Sequence, residues 1–301
     1  APVNVGTLLL GPLTSSLFYL RRSCAQEMKI LHVWNTAGVG SIIGKYMDRL
    51  FGTESLVVMR KAFDPFGFTT YGQLWDCGAK MFVLKSLLKA RKFDVIHVHS
   101  VDRIVPYLKL LYPDRPVVMH YHGDEIRDKW AQRQKYWVKA DVVICATLSL
   151  FGSGAPSRAV LVPNPVDTEV FCPGDVKPLS GTALHFPRNA DDLATEHANQ
   201  YNLELTIYDG KARGIIPYLR LPEFLRRYEY YIDVKRNYAG ILLKGGISKT
   251  GLEALSCGLK VIKWDGSQVQ GLPAENRPEN VARQVYTLYE GALSGSIDRF
   301  S

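Results

Sequence analysis

Short apolar runs recur along the chain, and between them come stretches whose apolar residues return every three or four positions. Met28-Lys29-Ile30-Leu31-His32-Val33, Leu56-Val57-Val58-Met59, Asp94-Val95-Ile96-His97-Val98-His99-Ser100, Pro116-Val117-Val118-Met119, Ala140 to Thr147 and Ala159 to Pro163 read as buried strands. The segments from Ser41 through Leu50, from Lys80 to Phe93 and from Arg127 to Lys139 read as helices, with Phe82, Leu84, Leu87 and Leu88 expected to face inward. Strands apolar on both faces need helices on both sides, so the alternation predicts an α/β fold with doubly wound parallel sheets. After the proline-bearing stretch Pro163 to Pro173, a stiff hinge, the pattern restarts. Thr182 to Phe186, Leu203 to Tyr208 and Glu229 to Lys235 read as strands, with Tyr238 to Leu243 a further candidate; Asp191 to Tyr201, Pro222 to Arg227 and Glu279 to Leu293 read as helices. Residues 1–27 lack this pattern. Val5 to Leu20 is apolar but broken by Pro12, and Arg21 and Arg22 follow it, the reverse of a secretion signal, so an extension outside the fold is expected.

One stretch organises the second half. Gly245 to Ile262 reads as loop, helix, turn and strand, with Ser248 or Thr250 as cap, Leu252 and Leu255 inward, Gly258 as terminator and Val261-Ile262 in the strand. The unpaired N–H groups and positive dipole end of such a helix form an anion site, to which Lys249 adds a full charge. An ordinary capped helix with a solvated Lys249 gives the same local pattern.

Composition changes this picture little and charge changes it more. With 301 residues, 47% apolar and 22% charged, the chain suits a globular protein of two domains. The cysteines are odd in number and have no CxxC spacing, so neither a zinc cluster nor a disulfide framework is indicated, and a reducing cytoplasm is the expected compartment. Met28 to Pro173 holds 19 Lys/Arg against 13 Asp/Glu, most of the net charge of +8, which suits an anionic partner such as a membrane surface or nucleic acid, or solubility alone.

Among residues with chemistry to offer, Gly38 and Gly40 sit in the loop after the first strand. They lack the third glycine of a dinucleotide fingerprint, which argues against a nicotinamide-dependent oxidoreductase. His97 and His99 share a strand face and could hold a metal, but no third ligand with suitable spacing accompanies them. His99 is expected to line a cleft, and His97 to pack. His120-Tyr121-His122-Gly123-Asp124-Glu125 follows a strand, at the sheet edge where ligands bind in such folds. Asp124 and Glu125 suit either acceptor hydroxyls or the first turn of a helix.

Three segments together resemble retaining GT-B glycosyltransferases of family 4. Glu253-Ala254-Leu255-Ser256-Cys257-Gly258 before Val261-Ile262 is similar to that family's E-A-M-A-x-G-x-P-V run. Val162-Pro163-Asn164-Pro165-Val166-Asp167, continuing to Phe171 and Pro173, is similar to its P-N-G-V-D hinge, and His122-Gly123 to its H-G loop. The resemblance implies two Rossmann-like domains facing a cleft: an acceptor-side domain over 28–173, a nucleotide-sugar domain over 174–278, then a terminal helix and tail over 279–301. It implies transfer of a sugar from a nucleotide sugar to a glycan or lipid-linked acceptor with retention of configuration, and no cofactor, metal or nucleic acid. His122 would meet the sugar, Glu253 the ribose, Arg188, Ser248, Lys249 and Thr250 the donor phosphates, and Gly38, Gly40, His99 and Gly123 the acceptor or phosphate loops. A peripheral position on the inner face of a membrane is expected from the basic helices, with Trp130, Trp137 and Phe82 as interfacial anchors. Two positions depart from the family: Gly245 stands where its first motif glutamate belongs, and Leu193 where its phosphate-gripping lysine does. Lys249 or Lys244 is a substitute cation; the alternative is a weakly active or inactive binding module.

Overall fold

The computed structural model describes residues 27–296 other than 176 and 238. The expected extension, apart from Glu27, and the last residues of the tail lie outside the described residues. The first unit contains β1 (Lys29–Val33), α1 (Val39–Phe51), β2 (Glu54–Arg60), β3 (Gln73–Trp75), α2 (Ala79–Ala90), β4 (Val95–His99), α3 (Val105–Leu111), β5 (Val117–Tyr121), α4 (Trp130–Trp137), β6 (Val142–Cys145) and β7 (Ala159–Leu161). Its seven strands run in the order β3-β2-β1-β4-β5-β6-β7, all neighbours parallel. The second unit contains β8 (Leu179–His185), α5 (Asp191–Gln200), β9 (Glu204–Ile207), α6 (Gly210–Arg213), α7 (Leu221–Leu225), β10 (Tyr228–Asp233), α8 (Lys249–Ser256), β11 (Lys260–Lys263) and β12 (Gln268–Gln270). Its five strands run β12-β11-β10-β8-β9, parallel except at β12. The last helix, α9 (Pro278–Ser294), lays Val281, Val285, Tyr286 and Tyr289 into the first unit's core beside Ile42, Ile43 and Val118.

Several expectations change. Short strands β3 and β12 appear where the sequence reading assigns none, each being only three residues long; β12 forms because the Asp265-Gly266 turn, with Gly266 at φ +79°, folds the chain back on β11. Tyr238 to Leu243 is not a strand among the described residues, where one bridge, Arg236 to Leu242, is all that forms. The basic helix begins at Trp130, because the chain first makes tight turns on the Gly123 carbonyl. On α2 the sheet takes Phe82, Ser86 and Ala90, whose small members allow close approach, and this turns Leu84 and Leu88 outward. Two of the three expected interfacial anchors are internal: Phe82 and Trp130 are buried, the Trp130 indole donating to the Leu150 carbonyl, while Trp137 is half-buried and donates to the Trp130 carbonyl.

The hinge owes its stiffness to more than proline. Buried Asp167 accepts from Lys45 Nζ at 2.9 Å and Tyr46 Oη at 3.2 Å, both on α1. Asn276 Nδ2 donates to the Asn164 carbonyl, and Val166 N–H donates to the Asn276 carbonyl.

Candidate active site

Sheet register builds the first wall of the site. His32 on β1 lies opposite His97 on β4, and His99 lies opposite His120 on β5, so alternation along each strand sends His32, His97, His99, His120 and His122 to one face. Five of the chain's seven histidines thus form one row of rings, with centroids 4.2 Å apart in the closest pairs, His97–His99 and His120–His122. His99 joins its neighbours through both ring nitrogens, Nε2 lying 3.1 Å from His32 Nδ1 and Nδ1 lying 3.1 Å from His122 Nε2. His97 Nδ1 meets Tyr289 Oη of α9 at 2.5 Å. Burial pushes His32 down to about 4 and holds His97, His99 and His120 well below the usual imidazole range, the neighbouring rings adding to the effect on the last three. His122 is lowered by burial too, against the pull of Glu125. The row is therefore neutral near pH 7. Third ligand atoms for His97 and His99, which spacing along the chain does not provide, are supplied by neighbouring strands: His32, His97 and His99 form one group that could hold a metal, and His99, His120 and His122 a second.

Loops at the carboxyl ends of these strands carry strain. Trp34, Ala37, Ser100 and Asp128 all have positive φ, which costs a non-glycine residue of order 1 kcal/mol or more and persists where surrounding contacts fix it. Here the Glu125 carboxylate accepts from the His122 backbone N–H and from Ser100 Oγ, which in turn meets Thr36 Oγ1 at 2.8 Å. Glu125 thus ties three loops together and aims the His122–Gly123 turn. Gly38 and Gly40 are buried against protein. A Cβ on Gly40 would lie 3.3 Å from His99 Nε2 and 3.1 Å from Asn35 Oδ1, so the missing side chain lets α1 approach the histidine row.

The second wall is α8 and its approach. Ser248 caps the helix, its Oγ accepting from Gly251 N–H, while Asp233 at the end of β10 accepts from Ser248 N–H at 2.6 Å. A carboxylate of this chain thus already lies at the helix's positive end. Glu253 is only 2% exposed, accepting from Lys249 Nζ and from Tyr218 Oη at 2.9 Å. Lys249 is thus engaged by Glu253. Thr250 lies half-buried in the first turn, and Arg188 is exposed just beyond β8. Gly245, with φ +136°, approaches Ser149 of the first unit, so the loop before α8 faces the other domain.

Lys235, just beyond β10, has no counterpart in the sequence motifs. Burial depresses its ammonium, Asp233 opposes that shift, Arg127 and Arg188 reinforce it, and Asp124 opposes it. Two of those partners follow β5 and two belong to the second unit, so Lys235 stands where the carboxyl edges of both sheets meet. Lys235, Arg188 and Arg127 gather there with Asp233 and Asp124, and Arg127 is paired with Asp124 at 3.2 Å. The only sequence signal for Lys235 was its place at the end of a strand. Glu125, Tyr218 and Asp233 were legible as residues but not as partners.

Residues 54–170 match the family model described as Glycosyltransferase Family 4. No curated protein sequence matches the chain. Among solved structures, AviGT4, a glycosyltransferase involved in avilamycin A biosynthesis, superposes with a TM-score of 0.61 at 14% identity, covering 89% of this chain and 98% of that one. The HepE protein of Anabaena, crystallised in complex with UDP-glucose, superposes with a TM-score of 0.54 at 12% identity, covering 91% and 96% respectively. The fold is GT-B. In this GT-B chain the cleft has the histidine row and the Glu125-held loop on one side, and Arg188, Lys235 and the start of α8 on the other.

Proposed function

We propose that the protein transfers a sugar from a nucleotide-sugar donor, of the UDP-sugar class that HepE binds, to a glycan or lipid-linked acceptor with retention of configuration. The observation that carries this reading is that Lys235 and Arg188 of the second unit stand at the sheet edge facing the neutral histidine loop of the first. The bond that breaks leaves negative charge on a diphosphate, and fixed cations at that point favour its departure. Lys235 takes the part of the lysine absent at Leu193. The ribose lies against Glu253, whose pairing with Lys249 and Tyr218 holds the carboxylate in place to accept from hydroxyls. His122, neutral and aimed by Glu125, positions the sugar and donates a hydrogen bond to it.

Calorimetric titration with UDP tests the donor site. Lys235→Ala is expected to weaken binding by about 2 kcal/mol through loss of a charge-assisted contact, while His122→Ala keeps UDP affinity and loses transfer. Unchanged affinity in Lys235→Ala would remove the diphosphate from this cleft.

The acceptor side is read from α2 and α3. Met81, Leu84 and Leu88 are 47%, 49% and 58% exposed, Leu110 on the neighbouring α3 is 78% exposed, and Lys80, Lys85, Arg91 and Lys92 are exposed beside them. Apolar side chains ringed by lysine and arginine suit the surface of an anionic bilayer, where a lipid-linked acceptor would be presented. Among the described residues no helix is long and apolar enough to cross a membrane.

A further inference from the structure

The histidine row contains more nitrogen than the protein's own hydrogen bonds use. Both ring nitrogens of His120 and Nε2 of His32 and His97 are buried without a partner, whereas His122 also meets Asn164. Leaving a buried polar group unsatisfied is disfavoured, and a fully buried imidazole with neither nitrogen bonded is unusual unless something outside the polypeptide meets it. Neutral imidazole offers a lone pair, and what converging lone pairs attract is a cation of borderline softness.

We propose that His99, His120 and His122 bind one divalent transition-metal ion, of the class to which Zn²⁺ belongs, at the cleft end of the histidine row. Their ligand atoms all lie within 4.8 Å of one another, and His99 Nδ1 is 3.1 Å from His122 Nε2. Two nitrogens at the usual zinc distance and a tetrahedral angle sit about 3.3 Å apart, so that pair is within a few tenths of an ångström of binding geometry. His120, on the strand register with His99 and stacked on His122, adds the third ligand from an otherwise unsatisfied ring. The inner triad, His32, His97 and His99, is the lesser site: all three rings are fully buried and His97 Nδ1 is held by Tyr289, whereas His122 is half-buried and leaves a fourth position toward the cleft. That open position suits an ion that also takes a water or a substrate oxygen. Glu125, which accepts from the His122 backbone N–H, supplies negative charge nearby. The inference does not depend on the sugar-transfer reading.

Cobalt titration decides it. Protein stripped with a chelator and desalted is titrated with Co²⁺, and visible d–d absorption is expected to saturate at one ion per chain and to disappear on adding Zn²⁺. His120→Asn should weaken binding by about 100-fold or more, and His97→Asn should leave it within a few-fold. Where circular dichroism finds His120→Asn unfolded, His122→Asn, on the half-buried loop, carries the same expectation. Wild-type protein without saturable absorption overturns the site, and so does binding lost in His97→Asn but kept in His120→Asn.

Discussion

A single buried contact explains much of how α8 is held. Glu253 has its carboxylate against Lys249 and Tyr218, with Lys249 Nζ also 5.9 Å from the centre of the Phe171 ring. Removing the cation leaves a charge at 2% exposure without its counterion, which costs about 3 to 5 kcal/mol, whereas Tyr218→Phe removes one hydrogen bond and costs about 1 to 2 kcal/mol. Lys249→Met is therefore expected to lower the urea midpoint far more than Tyr218→Phe. Equal effects would mean that water reaches Glu253. The Glu253-Ala254-Leu255 run singles out the acid, but its partner Tyr218 precedes it by helix α7, strand β10 and the loops around them, and no local spacing reveals that contact.

Between neighbouring strands, burial makes the histidine row a pH-sensitive seam. The folded-state pKa of His32 is depressed to about 4 from 6.5, so the unfolded chain binds the extra proton first as pH falls. Its contribution is whole above pH 6.5 and is lost between there and about 4, at most about 3 kcal/mol for this one ring. Unfolding by urea in the presence of a chelator should become markedly easier across that window, and less steeply so in His32→Gln. A pH profile identical in the variant would mean that His32 is hydrated. The strands themselves were evident from their apolar runs, yet the row was not: His32, His97 and His120 come from separate strands, and only the parallel register aligns them. Helix α2 teaches the complement. Its apolar residues occupy two faces, and the sequence pattern alone could not say which one the sheet would cover.

At the scale of the whole molecule the outward face of α2 and its neighbour make the membrane reading testable. Each Lys or Arg held near an anionic surface contributes about 1 kcal/mol, so a handful facing one way with Leu84 and Leu88 between them suffices for reversible attachment. Co-sedimentation with anionic vesicles is expected, absent with neutral ones, reduced at high salt and lost in Leu84→Ser/Leu88→Ser, whose exposed positions leave the fold intact. Retained binding in that variant would move the contact elsewhere. Arg127 and Arg133, on the other basic segment, are less available: Arg127 bonds Asp124 and Ser149, and Arg133 is paired with buried Asp102.

What the sequence determined by itself was what local chemistry encodes: most strands and helices, the α/β class, and a capped helix start at Ser248 or Thr250, between which only the structure chose. Those follow from apolar period, capping and short-range spacing, which a chain carries whatever its tertiary path. Tertiary structure alone decided the partners. Lys235 gained its cationic neighbours only when two sheet edges met, Asp167 gained Lys45 only when α1 packed on the hinge, and the histidines became a row only through register. Helix α9 packs on the first unit although it follows the second in sequence, because Val281, Val285 and Tyr289 match a core built by residues at the other end of the chain. Contacts between distant residues depend on geometry that no window of sequence contains.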